Sequence, residues 1–147
     1  MHRILALDPL AYEIRGMYRF ADLKPEGTLA DELRPIWPEN PRLLMVAADP
    51  AADTYTENLA LDLASALVKA GLPVGEVRVL QQETAEVAAQ LVPGADVIVL
   101  ADGEGEGADE KRSAFFAAID LPRLLETAKE DAPLIALSQA ALDAATA

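Results

Sequence analysis

Ser138 is the side chain best placed for chemistry in this sequence, because it directly follows the apolar run Leu134–Leu137 and precedes an alanine-rich segment. A serine between a buried strand and a helix stands where a nucleophile elbow would hold it. Its hydroxyl is a weak nucleophile until an adjacent base takes its proton. The sole histidine of the chain is His2, far from Ser138 in sequence. Without a neighbouring base, we expect Ser138 to cap the following helix by accepting a backbone hydrogen bond.

Carboxylates follow two other apolar runs, and they allow a second interpretation. Asp49 follows Leu43–Ala48, and Asp102 follows the run that ends at Ala101. A phospho-receiver domain would use Asp49 and Asp53 as a Mg²⁺-binding pair, Asp102 as the phosphate acceptor and Ser138 as the switch hydroxyl. A receiver also needs a lysine at the end of a fifth strand, and the pattern shows no such strand after Ser138.

The segment Asp102–Glu110 is acidic and rich in glycine, with acids at alternating positions and Gly107 in sixth place. This spacing resembles a calcium loop, but the twelfth position holds Ser113 where a bidentate glutamate is required. We therefore predict a solvated acidic loop. No metal site and no cofactor are predicted for the chain.

The elements that position these groups alternate between strand and helix. Short, continuous apolar runs are typical of parallel strands buried on both faces. The capping pattern Thr54–Glu57 begins the clearest helix, which Gly71 ends. The predicted strands are 43–48, 76–80, 96–101 and 134–137; the predicted helices are 54–70, 84–92, 115–125 and the segment after Ser138. Right-handed crossovers arrange this order as an open parallel sheet with helices on both faces, a three-layer α/β fold.

Residues 1–41 lack clear periodicity and contain five of the ten prolines of the chain, the last of them Pro41. One short helix is predicted from Thr28 to Leu33. We expect the rest of this segment to be an irregular lead-in that packs on a parallel α/β domain formed by residues 42–147. The whole chain is then a single domain.

Several blocks of the sequence resemble the dipeptidase E and cyanophycinase-like serine peptidases. These blocks are Trp37–Glu39 with Leu43–Pro50, Ala70–Val74, Ala95–Gly103, Phe115–Leu125 and Leu134–Ala141. The resemblance covers roughly residues 34 to 145. It implies the class I glutamine amidotransferase-like fold, a flavodoxin-like arrangement of parallel strands.

The resemblance also implies site residues. Ser138 matches the family's nucleophile, and Gly103 with Gln139 matches the amides of the oxyanion hole. The elbow glycines of the family are replaced here by Ala136 and Ala140. The family's histidine lies C-terminal to the elbow, and no histidine follows Ser138 in this chain, which implies a member that is degenerate or truncated before that residue.

We therefore expect a peptidase-like domain without efficient catalysis, acting in binding or assembly, with a small peptide as one candidate ligand. The alternative is a serine-type hydrolase that uses Ser138 with a base from a second subunit, or with Asp102 or Asp143. The phospho-receiver interpretation with Asp102 remains a second alternative.

Charge and composition limit the partners. The formal net charge of −13 disfavours nucleic acid and anionic membrane surfaces, which bind clustered Lys and Arg. The chain has no cysteine and no apolar run long enough for a signal peptide or a membrane span, so a cytoplasmic location is expected. An uncovered edge of the parallel sheet would pair with another strand, which predicts a homodimer through that edge or its burial by the lead-in.

Overall fold

A five-stranded parallel sheet forms the centre of the molecule in the computed structural model, which describes residues 1–51 and 53–147, the side chain of Asp53 excepted. Its strands lie in the order β1-β7-β6-β4-β5. Four of them, β4 to β7, correspond to the predicted strands, and β5 has the predicted bounds. The bounds in this sheet are β1 His2–Leu5, β4 Arg42–Val46, β5 Glu76–Leu80, β6 Val97–Leu100 and β7 Pro133–Ala136.

The helix predicted from Thr28 to Leu33 is confirmed, because α1 spans Leu29–Leu33 with Thr28 as its N-cap. The prediction that the rest of residues 1–41 is irregular is wrong. His2–Leu5 pairs with β7 in parallel register, from His2 opposite Pro133 to Leu5 opposite Ala136. Leu10–Arg15 (β2) and Tyr18–Leu23 (β3) form a separate antiparallel hairpin. These strands escaped prediction because they are short and mostly exposed, so burial on two faces never imposed a continuous apolar run on them.

Helices cover both faces of the sheet and give the predicted three layers. Alternate side chains of the central strands point to opposite faces, so Leu43 and Met45 pack with α1 and α2, whereas Leu44 and Val46 pack with α3 to α6. The helices are α1 Leu29–Leu33, α2 Asp53–Lys69, α3 Ala88–Gly94, α4 Ala108–Ala118, α5 Leu121–Leu125 and α6 Gln139–Ala145. Short 3₁₀ segments lie at Arg34–Ile36 and Gln82–Val87.

Three predicted boundaries shift. The predicted helix 84–92 is the 3₁₀ segment Gln82–Val87 followed by α3, which runs from Ala88 to Gly94. The helical pattern 115–125 is divided between α4 and α5, because Asp120 adopts a left-handed backbone (φ 52°) and Pro122 follows it. The acidic segment 102–110 is a loop only as far as Gly107, since α4 begins at Ala108. In the described ranges, no helix combines the length and the apolar character needed to cross a membrane.

The strand order defines a topological switch between β4 and β6. From β4 the chain crosses to β5 on one side, then returns to β6 on the other side of β4. Taken from β4 onward, this is the flavodoxin-like order 2-1-3-4-5, with the N-terminal strand β1 in the fifth place. Open sheets of this kind bind ligands beyond the carboxyl ends of their strands, at the switch.

Candidate functional site

The topology brings the carboxyl ends of all five parallel strands to the same end of the sheet. In spatial order from β1 to β5, the groups that follow the strands are Asp8, Ser138, Asp102 with Gly103, Asp49 and Gln81. The sequence predicted that these tips would meet, except for Asp8, whose strand it missed. Asp102 and Ser138 follow neighbouring strands in matched register, with Leu100 opposite Ala136.

Ser138 acts as the N-cap of α6. Its Oγ accepts a hydrogen bond from the backbone N–H of Ala141 at 3.1 Å, which confirms the capping prediction. Its backbone is extended (φ −151°, ψ 156°), an unstrained conformation that any residue adopts. A nucleophile elbow instead holds its serine on a sharp, strained turn. The hydroxyl is thus occupied in holding the helix, and its backbone carries no elbow strain.

His2 lies at the amino end of the strands, whereas Ser138 lies at their carboxyl end. It stands opposite Pro133, the first residue of β7, and its N–H donates to Ala132 O at 3.2 Å. Ser138 is five residues further along, which corresponds to roughly 16 Å of extended chain. The only imidazole of the chain is therefore out of reach of the hydroxyl, as the sequence argument required.

Gly103 and Gln139, the two residues matched to the oxyanion hole, lie at the carboxyl end of the strands, as Ser138 does. Their catalytic role stays a prediction. A Cβ added to Gly103 would lie 2.9 Å from the Cβ of Ala108 and 3.3 Å from that of Ala48. Glycine is needed there for close packing of the loop on α4. The Gln139 side chain is exposed and donates to Asp143 Oδ1 at 2.9 Å, so Asp143 is engaged within α6.

Asp102 is held by a buried arginine that the sequence did not single out. Arg112, on α4, is 1% exposed, and its Nη1 lies 3.6 Å from Asp102 Oδ1. Its Nη2 donates to Asp109 Oδ1 at 2.7 Å. In the part of the chain that the structure describes, its Nε and Nη1 have no hydrogen-bond acceptor. The Asp102 carboxylate is therefore paired with Arg112.

A large groove opens beside the switch point, between α3 and α4. Its volume is about 910 Å³. Small and apolar side chains form its walls; they include Ala85, Ala88 and Ala89 on one side and Ala114, Phe115 and Ala118 on the other. The groove is wide because the facing side chains of both helices are mostly alanines.

Charged groups lie at the strand end of this groove. Lys111 Nζ lies 3.2 Å from Asp49 Oδ2, and both side chains remain partly exposed. The other carboxylate oxygen, Asp49 Oδ1, accepts from Ala51 N at 3.1 Å and so fixes the turn after β4. Glu86 and Gln82 complete the polar lining. Apolar walls with a few convergent polar groups are typical of ligand pockets.

A second cavity of about 460 Å³ lies on the other face, between the hairpin and α2. Arg19 lies over the Tyr12 ring, 4.6 Å from its centroid, and pairs with Asp62 at 2.9 Å. Tyr12 Oη donates to the same carboxylate. Burial, and then Asp62, raises the pKa of Tyr12; burial, and then Glu104 and Asp102, raises the pKa of Tyr55. This cavity is smaller than the groove, and the cluster of Arg19, Tyr12 and Asp62 lines it.

The receiver interpretation finds part of its arrangement. Asp49, Asp102 and Ser138 follow three neighbouring strands, but β1, in the fifth place, ends at Leu5 and is followed by Asp8 and not by a lysine. Asp53, the second acid of the proposed pair, has a side chain outside the described residues. Within residues 1–51 and 53–147, no three acidic or histidine side chains are grouped so that they could hold a metal ion.

Fold and site together define a class: an open α/β domain with flavodoxin-like strand order and a groove at its switch point. No protein-family model matches the chain, and comparisons with curated proteins and with solved structures give no significant match.

Proposed function

We propose that this protein is a non-catalytic binding domain for a short peptide with apolar side chains, held in the groove between α3 and α4. The observation that carries the proposal is the position of this groove: a large, mostly apolar cleft at the topological switch, with the Asp49–Lys111 pair at its strand end. A switch-point crevice is where open parallel sheets bind ligands.

The chemistry of the groove suits a ligand with two opposite charges and an apolar body. The carboxylate of a free peptide would replace Asp49 as the partner of Lys111, and its ammonium group would meet Asp49 or Glu86. A partly exposed ion pair contributes little to stability, so opening it for a ligand with matching charges is easy. Burial of the side chains against alanines and Phe115 would supply most of the affinity.

Catalysis is not part of the proposal, because the candidate bases for Ser138 among the described residues are distant or engaged elsewhere. The Ser138 hydroxyl caps α6. The only imidazole, that of His2, lies at the amino end of the strands. The carboxylates of Asp102 and Asp143 are engaged with Arg112 and Gln139. Removal of triad members reduces the rate of a serine hydrolase by on the order of 10⁴–10⁶. The resemblance to the dipeptidase E-like peptidases supports a degenerate relative that retains peptide binding and has lost hydrolysis.

Isothermal titration calorimetry with the dipeptide leucyl-leucine tests the binding proposal. We expect the free dipeptide to bind and its acetylated, amidated form to bind at least ~10-fold more weakly, about 1.4 kcal/mol. Lys111→Met should weaken binding of the free dipeptide and leave that of the blocked form unchanged. Lys129→Met is the matched control, since Lys129 pairs with Asp96 elsewhere.

A steric test uses the same helix. Ala114 and Ala117 are both exposed on α4, but only Ala114 lines the groove. Ala114→Trp should abolish binding, whereas Ala117→Trp should bind as the wild type does. Equal binding by both tryptophan variants, or no binding by the wild type at millimolar dipeptide, would contradict the proposal.

The hydrolase alternative predicts labelling of Ser138 by a fluorophosphonate probe. We expect no labelling above that of a Ser138→Ala control. Labelling that Ser138→Ala abolishes would replace the binding proposal with a hydrolase.

The receiver alternative is favoured by one observation, the placement of Asp49, Asp102 and Ser138 after three neighbouring strands. Beryllofluoride with Mg²⁺ mimics the phosphorylated state and would stabilise a receiver against heat. We expect no shift in melting temperature. A shift that Asp102→Asn removes would establish the receiver function.

A further inference from the structure

The strand β2 presents a free edge. Among the described strands it pairs only with β3, and residues 12–15 are all exposed. Lys24 N donates to Pro9 O at 2.9 Å, continuing the ladder beyond the hairpin. Because bonded pairs alternate in an antiparallel ladder, residues 11, 13 and 15 direct their backbone groups towards β3. The backbone N–H and C=O of Tyr12 and Ile14 therefore point to the outside.

The same hairpin carries the most exposed large apolar side chains of the described chain. Ile14 is 75% exposed, Met17 96% and Tyr18 72%. Exposed apolar groups next to an unpaired strand edge are typical of an interaction surface. The surface is well defined in shape, because Gly16 (φ 62°) opens a two-residue turn that fixes the hairpin register.

Charge favours a second copy of this chain as the occupant. The two arginines of the hairpin, Arg15 and Arg19, balance Glu13 and Asp22, so the whole formal charge of −13 lies outside it. Two such acidic molecules repel each other least where they meet through their neutral parts. The hairpin is the neutral, apolar part of this protein.

We propose that two copies associate through an antiparallel β2–β2 ladder centred on Ile14. This register places Ile14 opposite its counterpart and Glu13 opposite Arg15 of the second copy, twice by symmetry. A centre at residue 13 would oppose two glutamates, and a centre at residue 15 would oppose two arginines. The sequence Glu13-Ile14-Arg15 thus favours one register over its neighbours.

An edge of the five-stranded sheet, the one formed by β5, is an alternative site for such a ladder, because Glu76-Val77-Arg78 has the same charge pattern. Its apolar side chains are already engaged, since Val77 and Val79 pack on the core of their own molecule. A ladder through β5 would bury little new apolar surface. It would also bring the acidic bodies of the two copies closer than a ladder between projecting hairpins.

Single cysteines distinguish the two edges, because the wild-type chain has none. Residues opposite each other in a hydrogen-bonded antiparallel pair have Cα atoms about 5.5 Å apart, which a disulfide can bridge. Ile14→Cys should form a disulfide-linked dimer at least ~10-fold faster than Val77→Cys under mild oxidation, on the scale that separates paired from random encounters. Faster cross-linking of Val77→Cys, or equal rates for Ile14→Cys and the exposed helical control Ser113→Cys, would overturn the proposal.

A charge exchange in the Ile14→Cys background tests the register. Glu13→Arg alone opposes two arginines across the ladder and should slow cross-linking severalfold, as should Arg15→Glu alone. The double exchange Glu13→Arg with Arg15→Glu restores opposite charges and should restore the rate. Independence of the rate from these three variants would exclude the ladder centred on Ile14.

Discussion

Arg112 places a single buried charge beside the acidic loop after β6. It is enclosed to 1% exposure, yet its two carboxylate partners, Asp102 and Asp109, remain largely in water. Burial removes most of the water around this guanidinium. Protein hydrogen bonds replace only part of the lost hydration energy, because Nε and Nη1 have no hydrogen-bond acceptor in the described residues. We therefore expect Arg112 to support the loop by the volume that its side chain fills, and its charge to add little to stability.

This interpretation predicts opposite outcomes for two substitutions of Arg112. Arg112→Met keeps most of the volume and removes the buried charge, so the free energy of unfolding should stay within about 1 kcal/mol of wild type or rise. Arg112→Ala leaves a cavity and should reduce that free energy by about 2–4 kcal/mol. Urea denaturation measures both. If Arg112→Met were as unstable as Arg112→Ala, the charge and not the volume would hold the loop.

At the scale of the element, α1 and α2 are the helices whose limits the sequence predicts best, and α1 has the predicted N-cap Thr28 and end at Leu33. The helix α2 differs by one residue at each end from the predicted range 54–70. Its apolar residues recur every three or four positions, and Leu63 and Leu67 are fully buried on the sheet. The helix ends in a Schellman motif: Leu72 N donates to Leu67 O at 2.9 Å and Gly71 N to Val68 O at 3.0 Å. Gly71 carries the left-handed backbone (φ 87°) that this motif requires.

Gly71→Ala should therefore reduce the free energy of unfolding by about 1 kcal/mol, because a Cβ is disfavoured in the left-handed region. Gly94, at the end of α3, has no positive φ and open space around its Cα. Gly94→Ala is the matched control and should be neutral or stabilising by about 0.5 kcal/mol, since it restricts the unfolded chain. Equal effects of both changes on the urea midpoint would argue against the left-handed helix end.

The elements near the N-terminus were harder to predict. A four-residue edge strand such as β1 has one neighbour, and only Ile4 of its side chains is buried. The hairpin did leave a signal in the sequence. Apolar and polar residues alternate on both sides of Gly16-Met17, which is a two-residue turn with glycine in its first position. Its exposed apolar residues mask that alternation.

At the scale of the whole molecule, the formal charge of −13 on 147 residues makes self-repulsion a general property of the folded state. The ion pairs of the structure are mostly exposed, for example Arg15 with Glu13 and Arg78 with Glu76, so each contributes little. Screening should weaken these pairs less than it relieves the repulsion among unpaired carboxylates.

We therefore expect the melting temperature to rise by about 2–4 °C, equivalent to about 1 kcal/mol, when NaCl is raised from about 0.01 to about 0.15 M at pH 7. Scanning calorimetry measures the shift. The same titration near pH 4.3, the isoelectric point of the sequence, is the control, because little net charge remains to be screened. A falling melting temperature at pH 7 would mean that the ion pairs dominate.

The sequence alone determined the central strands, the helix α2 and the capping role of Ser138, because each depends on short-range patterns: burial on both faces, helical spacing and a local hydrogen bond. Only the tertiary structure decided that the N-terminus supplies the fifth strand, that Arg112 neutralises Asp102 and that alanines of α3 and α4 leave a groove between them. These features depend on contacts between residues distant in sequence, and such contacts leave no periodicity in the chain.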